Sequence, residues 1–262
     1  MNICITNWYG RLGNNIIQVK HALLLAIYYK FNVILPKHPY FNTQYIIINR
    51  DIYKHDIKVT DKKTEFFCLI DEILMSYYQP IFDINLDKAY TLLKKIFIIN
   101  LTIIKPLPIN DVVIHIRGGD IFSSNPHPGY ISPPLSFYTA NLNAFDKIII
   151  ISEDTLNPCV NALLKYPNIT YKKNTLTEDI LLLLQSPNVI FSVGTFVTSL
   201  LLLSTHIKNV YATNEINNTL DNCSHIKIHK TDLTHYFKLM GPWKNTKEQR
   251  RLLLNYNKPL RI

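Results

Sequence analysis

The chain has 262 residues, 47% hydrophobic and 18% charged, enough for a large buried core and too apolar for a disordered protein. Its 28 Lys+Arg against 19 Asp+Glu give a net charge of +9, which favours anionic partners in general. The lysines are dispersed, however, as on a solvated surface rather than a nucleic-acid-binding one. Cys4, Cys68, Cys159 and Cys223 contain no C-x-x-C pair, so reduced core thiols are expected over a metal or redox site. With no leader-like amino terminus and no apolar run of ~18 residues, a cytoplasmic protein without a transmembrane segment is expected. The N-x-[ST] sequons at Asn100, Asn168, Asn217 and Asn222 are read as chance in an Asn-rich chain.

Asn2 to Trp8 reads as a first strand, followed by the turn Tyr9–Asn15 and an apolar-periodic helix from about Ile16 to Tyr29. Strand, glycine turn and helix make the first half of a βαβ unit. Gly13-Asn14 would open the helix with backbone N–H groups facing a cleft, or would form a plain tight turn with an Asn cap. The spacing is not G-x-G-x-x-G, so a dinucleotide site is not indicated. Phe31–Leu35 reads as a second strand and Tyr45–Ile48 as a short one, while the rest of 37–65 carries little pattern. Asp71–Tyr78 and Asp87–Asn100 read as helices. Lys105-Pro106-Leu107-Pro108 breaks regular structure and is the expected interdomain linker. It divides the chain into domains 1–108 and 109–262.

Val112-Val113-Ile114-His115-Ile116-Arg117-Gly118-Gly119-Asp120 follows: a buried strand running into an imidazole, a guanidinium, two glycines and a carboxylate. Charge at the carboxyl end of a parallel strand is where open α/β folds bind ligands. The planar fork of Arg117 suits phosphate oxygens, so an anion site for a nucleotide diphosphate is expected, with an interdomain salt bridge as the alternative. His115 points to the same side of the strand as Arg117, and is otherwise a satisfied core histidine.

Residues 121–130 form an irregular, Pro-containing loop. Ser132 is expected to cap a helix with Pro133 in its first turn. Lys147–Ile151 reads as a strand ending in Ser152-Glu153-Asp154, Asn157–Lys165 as a helix and Ile169–Lys172 as a strand. Thr175 and Glu178 form a capping box for a helix at Asp179–Gln185. Val189–Val193 reads as a strand, Gly194-Thr195-Phe196 as a turn, and Val197–Ser204 as a helix. Strands at Val210–Thr213 and Ile226–His229 follow, then a basic amphipathic helix or helix pair over 236–256. The alternation predicts parallel sheets with right-handed connections. Amides and hydroxyl at Gly194-Thr195 could hold phosphate oxygens or simply cap a helix, and Asp179 could accept from a purine edge or only favour the helix dipole. The chain has no D-x-D, Walker A, H-E-x-x-H or G-x-S-x-G motif, so the phosphates must be held by cationic side chains and amides.

In combination these motifs resemble the fucosyltransferase superfamily, specifically the α-1,2-fucosyltransferase-like glycosyltransferases of family 11. Gly10-Arg-Leu-Gly13-Asn14-Asn15 with Gln18 is similar to G-x-L-G-N-Q-x-x-Q, and His115-Ile-Arg117-Gly-Gly-Asp120 to H-x-R-R-x-D. Ile150-Ile-Ser152-Glu153-Asp154 is similar to the S-D-D strand end. Glu178-Asp179 through Ser192-Val-Gly194-Thr195-Phe196 is similar to the family's acidic residue, helix and S-x-S/T-F segment.

The resemblance implies an α/β GT-B-like fold of two Rossmann-like domains with parallel sheets facing a central cleft. It also implies an inverting, metal-independent hexosyltransferase with GDP-fucose as co-substrate, no further cofactor, and a glycan hydroxyl as acceptor. On matching positions Arg117 would hold the β-phosphate, and His115 with Asp179 would approach guanine. Gly118, Gly119, Gly194, Thr195 and Phe196 would complete the donor pocket. Gly13, Asn14, Ser152 and Glu153 would border the cleft, and Asp120 and His127 are the general-base candidates. The first domain would take the acceptor and the second the donor. Gly118 departs from the family, whose typical members carry a second arginine there. The alternatives are transfer from another nucleotide sugar such as a UDP-sugar, or a noncatalytic basic protein that binds glycan or nucleic acid.

Overall fold

The computed structural model describes residues 2–48, 56–59, 86–99, 104–201, 203–214 and 225–257. The helix expected at Asp71–Tyr78, Cys68, Cys223 and the sequons at Asn100, Asn217 and Asn222 lie outside these residues. The chain divides into two compact units, Met1–Ile103 and Ile104–Ile262.

In the first unit, β1 (Asn2–Ile5) leads into α1 (Leu12–Tyr29) and then β2 (Asn32–Ile34). β1 pairs in parallel with β2 on one side and with β4 (Asp56–Val59) on the other. The short strand β3 (Tyr45–Ile46) runs antiparallel to β2, against the expectation of parallel pairing throughout. The link between β2 and β3 has no crossover helix, and only antiparallel neighbours can be joined that way. Ile16, Val19, Leu23 and Ala26 of α1 pack fully buried beside Val33 of β2 and Ile3 of β1. α1 begins at Leu12, four residues before the expected start, with Arg11 in the N-cap position and no capping hydrogen bond from its side chain. A second helix, α2 (86–96), is pinned to the β2–β3 link through Asn42 N–H to Ile96 O and Ile98 N–H to Tyr40 O.

The second unit is a six-stranded sheet, entirely parallel among its described pairs. In chain order its strands are β5 (Asp111–His115), β6 (Lys147–Ile151), β7 (Ile169–Tyr171), β8 (Asn188–Phe191), β9 (Asn209–Thr213) and β10 (Lys227–Thr231). The spatial order β10-β9-β8-β5-β6-β7 is the 3-2-1-4-5-6 order of a Rossmann sheet read from its far edge. The chain walks outward from β5 to β7, then returns to β8 on the other side of β5. Val112, Val113, Ile114, Ile148, Ile150, Val189 and Ile190 are fully buried, as a sheet covered on both faces requires.

Helices α3 (Leu135–Thr139), α4 (Pro158–Leu163), α5 (Leu176–Gln185) and α6 (Thr195–Leu201) lie in the connections, and α7 (Thr234–Met240) and α8 (Lys247–Asn255) follow β10. The capping box at Thr175 and Glu178 is present in full. Ser132 is not a helix cap: α3 starts at Leu135 with Pro134 in the N-cap position. A residue before proline is pushed to extended backbone, so the pair Pro133-Pro134 delays the helix. Ser132 is instead fully buried, its carbonyl accepting from Tyr236 Oη at 2.8 Å. Residues 236–256 form two helices, broken at Gly241, whose φ is +60°. The proline-rich segment near 105–108 is tied to this second unit, with Leu107 N–H donating to Gln185 O and His206 Nε2 lying 2.9 Å from Ile104 O.

Candidate functional site

Between β5 and β8 the connections leave in opposite directions, and the crevice so formed at the carboxyl ends is where doubly wound sheets bind ligands. His115 ends β5 and pairs in register with Phe191 of β8 and Ile151 of β6. Burial, reinforced by the neighbouring Arg117 guanidinium, lowers its pKa from 6.5 to about 4. At neutral pH it is therefore an uncharged imidazole, and its buried Nδ1 has no hydrogen-bond partner among the described residues. Its ring centroid lies 5.5 Å from that of Phe196 at the start of α6.

Arg117 is held at both its main chain and its side chain. Its N–H donates to Ser192 Oγ at 3.0 Å, and its carbonyl accepts from Asn157 Nδ2 at 3.1 Å. Nε and Nη2 donate to the two carboxylate oxygens of Asp120 at 3.3 and 2.9 Å. The guanidinium lies over the Tyr130 ring, with Cζ 3.8 Å from its centroid. Nη1 is directed at the turn before α6, where a β-carbon on Gly194 would stand 2.7 Å away, and Gly194 has φ +101°. One edge of the fork and one face are thus engaged by the protein, and Nη1 is aimed into the switch point.

The glycine turn after Arg117 packs against the end of β6. Gly119 N–H donates to Asp154 Oδ2 at 3.1 Å, and Asp154 Oδ1 accepts from Leu156 N–H at 2.9 Å. A β-carbon on Gly118 would collide with Asp154 Oδ1, and one on Gly119, where φ is +57°, with the Glu153 carboxylate. The hydroxyl of Ser152, 5% exposed, lies 3.3 Å from that same Gly118 position and has no partner. Gly118 therefore does more than omit an arginine: the volume where a side chain would begin is occupied by a carboxylate fixed from two sides. Asp120 pairs with Arg117, while Asp154 and Glu153 pack against the two glycines that follow it.

The remaining expected residues divide. Thr195 and Phe196 open α6 beside Gly194. Asp179 is half-buried in the first turn of α5, accepting from Asn174 Nδ2 at 3.0 Å, and burial raises its pKa while the Asn174 bond opposes the shift. No hydrogen bond or ring contact among the described residues joins it to His115. Tyr171, at the end of β7, has its pKa raised by burial and then by the charges of Asp154 and Asp179. Asp120, expected as a possible base, has both oxygens occupied by Arg117. His127 is exposed, its Nδ1 accepting from Gly129 N–H at 3.1 Å and its ring 4.9 Å from that of Tyr130.

In the first unit the polar side chains of the Gly10–Gln18 motif brace the turn that precedes α1. Asn15 and Gln18 are buried, with Asn15 Nδ2 donating to Tyr9 O and Gln18 Oε1 accepting from Tyr9 N–H. Asn14 lies against Gly10, whose φ of +66° and missing side chain make room for it. Gly13 is buried within α1. His38 has its pKa lowered by burial. Its Nδ1 accepts from Tyr40 N–H, leaving Nε2 to face Asn15 Oδ1 at 3.2 Å.

Tyr130 and Asn157 were not among the residues expected here. Neither belongs to a motif, and each reaches Arg117 only through the fold. Among the described residues no group of three or more His, Cys, Asp or Glu is placed to hold a metal ion, and no helix is long and apolar enough to cross a membrane.

The second unit is thus a Rossmann-type sheet with a polar site at its switch point. No family model matches the sequence, and no curated protein does. Among solved structures, apo POFUT1 is similar with a TM-score of 0.45 and 10% identity over 87% of this chain and 97% of that one. POFUT1 in complex with GDP-fucose is similar with a TM-score of 0.44 and 11% identity over 80% of this chain and 96% of that one.

Proposed function

We propose that the chain is a glycosyltransferase that takes a nucleoside-diphosphate sugar, with GDP-fucose the donor its motifs favour, and passes the sugar with inversion to a glycan hydroxyl. The observation that carries this reading is the convergence of three segments, 115–120, 152–154 and 192–196, at one switch point. These are the segments that resemble successive motifs of one transferase family. In this reading the second unit binds the donor and the first serves the acceptor.

The chemistry follows from the placement of charge. The acceptor oxygen attacks the anomeric carbon, the bond from that carbon to the β-phosphate oxygen breaks, and the electron pair leaves on the diphosphate. Charge develops there in the transition state, and fixed donors aimed at it lower the barrier. Arg117 Nη1 and the Gly194–Thr195 amides supply them. Asp120, bound edge-on to Arg117, orients the fork. The neutral His115 and the Phe196 ring form a wall suited to a base rather than to phosphate. The acceptor proton goes to a base, for which His127 is the loop candidate: its Nδ1, the ring nitrogen that accepts from Gly129 N–H, would exchange that bond for the proton. The chain's own residues supply the whole donor site, without a metal ion in the scheme.

Arg117→Ala is expected to keep the fold, since the Arg117–Asp120 pair is partly exposed and such pairs contribute about 0–1 kcal/mol. It should abolish both thermal stabilisation by GDP and sugar transfer. A melting series with GDP, UDP, CDP and dTDP checks the donor. The packing of Asp154 at Gly118 favours one second reading, a donor other than GDP-fucose on the same scaffold. Stabilisation by UDP and not GDP would select it, and unchanged turnover in Arg117→Ala would overturn the site.

A further inference from the structure

We infer that Tyr130 is a positioning residue for Arg117, setting the affinity of the site for a diphosphate by fixing the plane of the guanidinium. The inference rests on Arg117 as the diphosphate ligand of the reading above. Asp120 alone leaves the fork able to swing about the line of its two hydrogen bonds. The ring of Tyr130, 3.8 Å from Arg117 Cζ, removes that freedom and adds an attraction between cation and ring face. With the plane fixed, Nη1 is aimed at the Gly194 turn before any ligand arrives, which is preorganisation in the strict sense.

Tyr130 sits at the end of a loop whose residues Ser123, Ser124, Asn125, His127, Pro128 and Gly129 are exposed. A ring on such a loop orients nothing unless the loop is itself anchored. The anchor is Trp243, buried at 1% exposure between α7 and α8. Its N–H donates to Pro128 O at 2.9 Å and its indole Nε1–H to Ile121 O. Asn245 Nδ2 donates to Phe122 O at 2.8 Å and to Ser123 O at 3.0 Å. Both ends of the loop are thereby held by one later segment, and the His127 ring packs at a tilt against that of Tyr130, 4.9 Å away. Tyr130 is half-buried and packs against the edge of the core, a contact that phenylalanine and leucine both keep apolar.

The test uses the full chain with GDP and inorganic pyrophosphate as parallel calorimetric probes, on wild type, Tyr130→Phe, Tyr130→Leu, Arg117→Lys and the double variant Tyr130→Leu/Arg117→Lys. Phenylalanine keeps the ring face and should bind within about twofold of wild type, while leucine should weaken binding about tenfold with an unchanged melting temperature. Lysine cannot present a plane to the ring, so adding Tyr130→Leu to Arg117→Lys should cost less than about twofold, a non-additivity that only direct coupling produces. Full affinity in Tyr130→Leu, or the same loss in both backgrounds, overturns the inference. Binding of pyrophosphate but not GDP with this pattern would remove the nucleotide reading and keep the role of Tyr130. Binding of neither by wild type would remove both.

Discussion

His115 and Gly118 show how single residues are shaped by what surrounds them. His115 has a folded pKa of about 4 against 6.5 when unperturbed. Between these values the unfolded chain binds a proton that the folded one does not, so stability falls as pH drops from 6.5 towards 4 and is independent of this group above 6.5. The contribution lost by pH 4.5 is on the order of 2 kcal/mol. Urea unfolding of wild type and His115→Gln between pH 4.5 and 7 should show a flatter profile for the variant; parallel profiles would mean that His115 does not titrate this way.

Gly118 gives the complementary prediction. Introducing the second arginine of the resembled family as Gly118→Arg should not improve donor binding, because its β-carbon meets the fixed Asp154 carboxylate. The expected effect is a loss of about 1–3 kcal/mol of stability; a variant with tighter GDP binding and normal stability would contradict that packing. The glycine was visible in the sequence, but the carboxylate that occupies its space is 36 positions further on and was not.

At the scale of elements, the connection from β6 to α4 matters most. Asn157 caps α4 by accepting from Cys159 N–H at 3.0 Å, and its amide also donates to Arg117 O and to Ser132 Oγ. Read from the sequence, Asn157 belongs to the helix it opens, although Asn before Pro at a helix start is a local capping signal. The cross-link was not legible, because its partners lie 40 and 25 residues away. Asn157→Asp keeps the cap and removes both donors from a fully buried position, and should cost about 2–3 kcal/mol by chemical denaturation. Equal stability would reduce Asn157 to its cap.

Other elements divide along the same line of local against distant causes. The β-branched runs of β5, β6 and β8 and the capping box of α5 were read within a few residues. β4 was missed because Asp56 and Lys58 alternate with single apolar residues in a four-residue strand. The start of α3 was placed too early because the Ser-Pro signal was read without the second proline.

For the whole molecule, the alternation of strands and helices indicated a parallel α/β architecture, and the sheets follow it apart from β3. What the alternation could not supply was the strand order. That the chain reverses between β7 and β8, which brings residues 115–120 beside 192–196, is a long-range fact, and it turns scattered motifs into one site. In the first unit Asn15 and Gln18 of the Gly10–Gln18 motif bond to the backbone of Asn7 and Tyr9 and so brace the turn before α1.

The Trp243 anchor carries a consequence in time. Its indole binds a carbonyl 122 residues earlier in the chain, so during vectorial synthesis Arg117, Asp120 and Tyr130 leave the ribosome long before the group that holds their loop. A nascent chain with the entire β5–β8 switch point extruded would still have an unanchored loop. The loop can therefore be anchored only after residue 243 has emerged, later than every strand that carries the site.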